Sequence, residues 1–115
     1  ERPVWRLSLP PASAPAVWRE LIGTVAKAGY IDWGGGLLWL ATETALADAG
    51  AEAIRAVLAA NGGGHATLIR GAPGLRANVA VFQPVSAGLA ALQTRIKANF
   101  DPNDILNRGR LGAAV

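Results

Sequence analysis

The side chains best suited to chemistry lie in two stretches that alternate like β-strands. Arg6 and Ser8 alternate with apolar residues near the start of the chain, and His65 and Thr67 do so in a later stretch. Because successive side chains of a strand point to opposite faces, each pair falls on the more polar side of its strand. Such a face is suited to cover a ligand or another domain; the simpler alternative is a solvated face.

Aromatic side chains are expected on the same sheet face. Trp39 belongs there, and either Asp32 or Trp33 joins it, depending on a strand register that the sequence does not fix. An exposed pair of tryptophans favours an interface over a merely solvated surface.

His65 is the only histidine. Its imidazole is a candidate general base, pH switch or anion-binding donor, and the alternative is a structural, hydrogen-bonded residue at the start of a strand. The sequence shows no Ser-His-Asp or Cys-His constellation. A single His without a cluster of carboxylates predicts no metal site.

Two glycine triplets resemble phosphate-binding loops only superficially. Residues 34–36 lie between two predicted strands, which predicts a hairpin turn, and residues 62–64 follow a predicted helix, which predicts its C-terminal cap. Neither has a Walker Lys-Ser/Thr pair or the strand–glycine–helix order of a dinucleotide site.

Composition excludes several classes of function. The net charge is only +3 and no Lys/Arg cluster exists, so nucleic acid and anionic membranes are weak candidates as partners. The absence of cysteine excludes disulfides, a thiolate nucleophile and a cysteine-ligated metal. No apolar run approaches the roughly 20 residues of a membrane-spanning helix. The sequence contains no methionine, which suggests a piece of a longer protein.

Hydrophobic periodicity predicts the order β-α-β-β-α-β, which is the split βαβ plan of ferredoxin-like α+β domains. We expect an antiparallel sheet with its first and third strands central, both helices on one face, and Leu7, Ile54 and Leu58 buried. A further C-terminal helix and a tail lie outside this plan. Between the last strand and that helix, residues 71–78 are predicted to form a loop and residues 79–82 to be extended. The predicted strands are 4–9, 30–33, 37–42 and 65–70, and the predicted helices are 16–28, 45–60 and 86–98.

The segment after the last helix is unusually well specified. Asp101 is a good N-cap, Pro102 suits a first helical position, and Asp104 suits the N-terminus of a helical turn. Asn107 and Gly109 would then end that turn. A terminus with such signals is expected to dock against another part of a protein.

This tail resembles the C-terminal signature of FAD-linked oxidases of the vanillyl-alcohol oxidase type. Within that superfamily, Trp-Arg-Leu-Ser-Leu-Pro at 5–10, Ile-Asp-Trp-Gly-Gly at 31–35 and Gly-Gly-His-Ala-Thr-Leu at 63–68 resemble the FAD-binding subunit of bacterial glycolate oxidase. The motifs are in the right order and cover most of the chain. Asp104 departs from the family's usual Gly, Arg108 from its Pro, and Leu111-Gly112 from its Met-Tyr.

The resemblance implies a C-terminal cap domain, residues 1–98, and a tail, residues 99–115, that returns to an FAD-binding domain absent from this chain. The implied reaction is FAD-dependent oxidation of a small 2-hydroxy acid, glycolate to glyoxylate, within a multi-subunit complex. The implied partners are the FAD-binding domain of the same parent chain, the other glycolate oxidase subunits and the hydroxy acid. The implied location is cytoplasmic, either free or peripheral to the inner membrane through the complex. The fragment alone is expected to be inactive and to hold no FAD.

The resemblance also suggests roles for individual residues. His65 and Arg6 are candidates to orient or neutralise the substrate carboxylate, and Asn107 and Arg110 are candidates to contact the flavin. Two alternatives remain open: a subunit that is catalytically silent within its complex, and a non-catalytic ferredoxin-like module that binds a small ligand or partner through its open sheet face.

Overall fold

The computed structural model describes residues 1–109, which fall into two compact units, residues 1–83 and residues from 84 onward. The first unit is an α+β domain with a four-stranded antiparallel sheet. Its strands are β1 (Val4–Ser8), β2 (Ala26–Asp32), β3 (Leu37–Thr42) and β4 (His65–Arg70), and its helices are α1 (Ala14–Leu21), α2 (Ala51–Ala60) and α3 (Pro73–Asn78).

The sheet has the strand order β2-β3-β1-β4, so β1 and β3 are central as predicted. β1 pairs with β3 on one side and with β4 on the other, and all of these pairings are antiparallel. The ferredoxin-like prediction is therefore confirmed.

The core lies between one sheet face and helices α1 and α2. Trp5 and Leu7 of β1 are fully buried, and the predicted core residues Leu7, Ile54 and Leu58 are all at most 1% exposed. The indole N–H of Trp5 donates to the carbonyl of Ala49 (3.0 Å), so this large side chain is buried with its polar atom satisfied.

The first predicted helix was too long. α1 ends at Leu21, and Gly23 (φ +80°) turns the chain into β2, which begins at Ala26 rather than at residue 30. Ala26 is fully buried. The Ala-Lys-Ala start of this strand favours a helix by propensity, but pairing with β3 overrides that weak preference.

The second predicted helix began too early. α2 starts at Ala51, after Gly50 in the left-handed region (φ +80°). The carboxylate of Asp48 accepts from the backbone N–H groups of Gly50 (2.8 Å) and Glu52 (2.9 Å). These bonds, the one from Glu52 above all, lower the pKa of Asp48. A local carboxylate cap therefore holds residues 48–50 in a turn that precedes the helix, and bonds to the helix's first turn.

The predicted loop at 71–78 contains the short helix α3. Residues 79–82, predicted to be extended, contain bends and form no strand, but they lie along β4, where the N–H of Leu68 donates to the carbonyl of Val81 (2.8 Å). The outer edge of β4 is therefore partly covered, whereas the order of the sheet leaves β2 at its other edge.

The described part of the second unit contains helix α4 (Ala87–Phe100) and the turns after it. The helix is N-capped by Ser86, whose hydroxyl accepts from the N–H of Leu89 (3.4 Å). It has no buried residue. No helix in residues 1–109 is long and apolar enough to span a membrane.

The prediction of a helical turn starting at Asp101 was wrong. Asp101 terminates α4, and the residues after it form non-helical turns. Its carboxylate does cap the backbone, accepting from the N–H groups of Ile105 (3.0 Å) and Leu106 (2.8 Å). The prediction that the Asp101 side chain caps backbone N–H groups is confirmed, but the capped segment is not helical. An Asp side chain supports non-helical turns as readily as helix starts.

Candidate functional site

The sheet face opposite α1 and α2, which we call the open face, brings the predicted polar residues into two cross-strand rows. In both rows the central β1 residue lies between neighbours from β3 and β4. The rows, in the order β2-β3-β1-β4, are Tyr30, Trp39, Arg6, Thr67 and Asp32, Leu37, Ser8, His65.

Arg6 stands at the centre of this face. Trp39 is directly opposite it on one neighbouring strand and Thr67 on the other, while His65 is opposite Ser8 and so diagonal to Arg6. Diagonal pairs in antiparallel sheets are about 7–8 Å apart, within reach of one small ligand. Within residues 1–109, neither the guanidinium of Arg6 nor the ring of His65 makes a side-chain hydrogen bond or ion pair.

An aromatic surface adjoins Arg6. Tyr30 stacks on Trp39 with ring centroids 6.0 Å apart and planes 16° from parallel. Tyr30 remains 56% exposed, whereas the indole nitrogen of Trp39 is buried and has no hydrogen-bond partner among the described residues. The open face thus offers a flat apolar surface next to a cation.

The register resolves the choice between Asp32 and Trp33 in favour of Asp32, which pairs with Leu37 on the open face. Trp33 lies in the turn between β2 and β3, with φ +50° and 79% of its surface exposed. The carboxylate of Asp32 accepts from the backbone N–H of Trp33 (2.8 Å), which holds this turn. The expected pair of exposed tryptophans on one face is therefore replaced by Tyr30 and Trp39.

The tail presents Asn107 in a left-handed conformation, φ +49°, with an exposed side chain. The ammonium of Lys97 donates to the Asp101 carboxylate and to the carbonyl of Leu106 (2.9 Å), and also pairs with Asp104 (3.2 Å). The bond from Lys97, together with the bonds from two backbone N–H groups, lowers the pKa of Asp101 to about 2. The same bond to Asp101 raises the pKa of Lys97. This network fixes the turn that leads to Asn107.

Asp104, where the family usually has Gly, has φ +47°. That is the conformation that glycine adopts freely and that Asp tolerates better than most residues. The departure from the family pattern is thus compatible with the backbone that the pattern would require. Arg110 lies outside the described residues.

The glycine triplets have the predicted structural settings. Gly34 and Gly35 occupy the β2–β3 turn with positive φ, and residues 62–64 follow the C-terminus of α2 with positive φ. Neither triplet precedes a helix as a phosphate cradle does. No group of three His, Asp or Glu side chains within residues 1–109 could hold a metal ion.

Sequence reasoning missed Tyr30 and Leu37 on the open face. Tyr30 is two residues before Asp32, so the period of two would have placed them together once Asp32 was chosen. It also missed Gln83, which bonds to Ala66 of β4, and Arg55, which bonds to Ala80 beside that strand; both contacts join residues distant in sequence. No local pattern signals such contacts.

The fold and the open face define a ferredoxin-like α+β domain whose exposed sheet surface combines an arginine, a histidine, hydroxyls and stacked aromatic rings. No family model and no solved structure matches the chain. Among curated proteins it is similar to the glycolate oxidase subunit GlcE of Escherichia coli (strain K12), with 36% identity over 112 residues. The match covers 97% of this chain and 27% of GlcE, so the chain spans about a quarter of that relative's length. The resemblance indicated by the motifs is thereby confirmed.

Proposed function

We propose that this chain is the cap domain of an FAD-dependent glycolate oxidase and that its open face covers the substrate side of the flavin. Similarity to GlcE over nearly the whole chain supports this role. Its partners would be the FAD-binding domain of the parent chain and the other subunits of the complex. Its location would be cytoplasmic, with any membrane association made through those subunits.

The observation that carries the proposal is Arg6 on a central strand, flanked by Trp39 and Thr67 and without a side-chain partner within residues 1–109. A guanidinium matches the two oxygens of a carboxylate and stays charged at all relevant pH values. Thr67 and Ser8 add hydroxyl donors and acceptors for the hydroxyl of a 2-hydroxy acid. A small, anionic, hydroxylated ligand therefore fits the chemistry of this face.

FAD itself would be held mainly outside this chain, because the described residues contain no phosphate cradle. When bound, the flavin supplies the hydride acceptor for oxidation of the α-carbon of glycolate to give glyoxylate. The chain's own residues would bind and orient: Arg6 and His65 the carboxylate, and Asn107 a polar edge of the flavin or its ribityl chain. The exposed amide of Asn107 can both donate and accept.

The test is a set of variants in the complete enzyme, each assayed for flavin content and for the rate of flavin reduction by glycolate. Arg6→Ala should raise KM for glycolate about ten- to hundredfold, because a hydrogen bond to a charged group contributes about 1.5–3 kcal/mol. His65→Ala should lower turnover per bound flavin. Asn107→Ala should instead reduce flavin retention, with the kinetics of the flavin-loaded fraction unchanged.

Arg95→Ala, which removes an exposed arginine from α4, is the matched control and should leave both assays unchanged. Wild-type KM and turnover in Arg6→Ala and His65→Ala would overturn the assignment of the open face to the substrate. A loss of complex assembly in those variants, with normal flavin chemistry, would instead favour the partner-binding module.

A further inference from the structure

The outer edge of β4 is covered by residues 79–83, which we call the edge segment. Besides the bond from Leu68 to Val81, the backbone N–H of Ala66 donates to the side-chain oxygen of Gln83 (3.2 Å). A side-chain amide thus substitutes for the backbone carbonyl that a regular fifth strand would present at this position.

These bonds lie next to the candidate site. Ala66 follows His65 directly, and Ala66 and Leu68 flank Thr67 in the sequence. Side chains of a strand alternate, so the backbone held at 66 and 68 aims the side chains of 65 and 67 at the open face. The edge segment therefore constrains the part of β4 that contributes to the site.

Arg55 of α2 holds the edge segment from its other side. Its Nη2 atom donates to the carbonyls of Ala80 (2.6 Å) and Phe82 (3.2 Å). Its guanidinium lies 5.6 Å from the ring centroid of Trp5, a cation–π contact with a core residue. Desolvation by burial lowers the pKa of Arg55. Arg55 thus connects the edge segment to the centre of the domain.

Side chains, rather than a backbone ladder, make most of these attachments. Arg55 and Gln83 make three of these hydrogen bonds, and the bond from Leu68 to Val81 joins two backbone groups. Arg76 acts similarly on this edge, donating to the carbonyls of Leu68 (3.1 Å) and Ile69 (3.3 Å). The position of the edge segment therefore depends on the identity of a few residues.

We propose that Gln83 and Arg55 are positioning residues that, through the edge segment, set the placement of His65 and Thr67 on the open face. The proposal rests on the proposed function, because it takes the open face to be the substrate-binding surface. It assigns a role in the site to two residues that do not belong to the open face.

The test compares Gln83→Leu with Gln83→Glu in the complete enzyme, by amide hydrogen exchange over 65–70 and by steady-state kinetics with glycolate. Leu cannot accept from the N–H of Ala66, so exchange there should accelerate about tenfold, the factor of one hydrogen bond of ordinary strength. KM for glycolate should rise about as much, and turnover per bound flavin should fall in the same direction as in His65→Ala. Gln83→Glu keeps an acceptor oxygen and should restore slow exchange. Arg55→Met removes both donated bonds to the edge segment while keeping a long side chain, and should likewise accelerate exchange.

Gln93→Leu, the same substitution on α4, is the control and should change neither exchange over 65–70 nor KM. Exchange at the wild-type rate over residues 65–70 in Gln83→Leu would overturn the claim that Gln83 attaches the edge segment to β4. Faster exchange with unchanged KM would overturn the positioning role. If His65→Ala and Arg6→Ala are kinetically silent while Gln83→Leu still accelerates exchange, the proposed function has failed and the attachment stands.

Discussion

The two units of the chain are stabilised in opposite ways. Every buried hydrophobic side chain of the described residues lies within residues 1–83. In the second unit, the one buried residue in the described part is Asp101, a carboxylate. The first unit is therefore specified by apolar packing and the second by local hydrogen bonds and charge.

Helix α4 carries an apolar stripe without burying it. The four side chains recur at helical spacing and are 45%, 48%, 49% and 85% exposed; they are Leu89, Leu92, Ile96 and Phe100. A contiguous exposed apolar stripe is typical of a surface that contacts another protein. The contrast teaches that apolar burial specifies the first unit, whereas local hydrogen bonds and charge specify the described part of the second.

The largest expected difference between the units is in the response to truncation of a leucine. Leu58→Ala should destabilise the chain by about 2–5 kcal/mol, because Leu58 is 1% exposed in the core. Leu92→Ala, on α4, should change the free energy of unfolding by no more than about 0.5 kcal/mol. Chemical denaturation of the 115-residue chain measures both. An equal loss of unfolding free energy in the two variants would contradict the claim that apolar packing stabilises only the first unit.

Sequence patterns predicted the first unit well for a physical reason. A half-buried sheet forces alternation, so strands β1, β3 and β4 were placed within a residue of their ends. Two errors fell where alanine-rich sequence suits helix, strand and turn alike, at residues 22–29 and 45–50, and a third was the short helix α3 in the predicted loop. In the two alanine-rich stretches, Gly23, Gly50 and the Asp48 cap decide the conformation.

The candidate site was predictable only in part. Alternation placed Arg6, Ser8, His65 and Thr67 on one face, because the period of two is a local property. The neighbours across the sheet, and the contact between Ala66 and Gln83, depend on pairing between distant residues. Sequence spacing gives no register for such contacts.

The charge network of the second unit should be sensitive to acid. The pKa of Asp101 is lowered to about 2, so its contribution to stability is complete above the unfolded value near 3.8 and is lost as pH falls through about 2. Asp101→Asn should mimic this loss at neutral pH by removing the charge that Lys97 binds. Amide exchange at Ile105 and Leu106 should then accelerate about tenfold.

The control for Asp101→Asn is Asp32→Asn in the first unit, where the carboxylate accepts one bond, from the N–H of Trp33. That change should leave exchange at 105 and 106 untouched. Unchanged exchange in Asp101→Asn would mean that the turn is held by something other than this carboxylate.

The smallest expected effect concerns Asp104 and separates backbone conformation from charge. Asp104→Gly removes the ion pairs with Lys97 and Arg108 but suits the φ of +47°. Asp104→Ala removes the same charge and is strained there, so the turn should be less stable than in the Gly variant by about 1 kcal/mol. Both side-chain partners of Asp104 are at least partly solvated, so the charge itself should contribute about 0–1 kcal/mol. The rate of amide exchange at Leu106 in the parent chain, Asp104→Gly and Asp104→Ala ranks the stability of the turn in the three proteins. If the Ala and Gly variants are equal, the left-handed backbone at this position does not constrain the turn, and the ion pairs alone account for the residue.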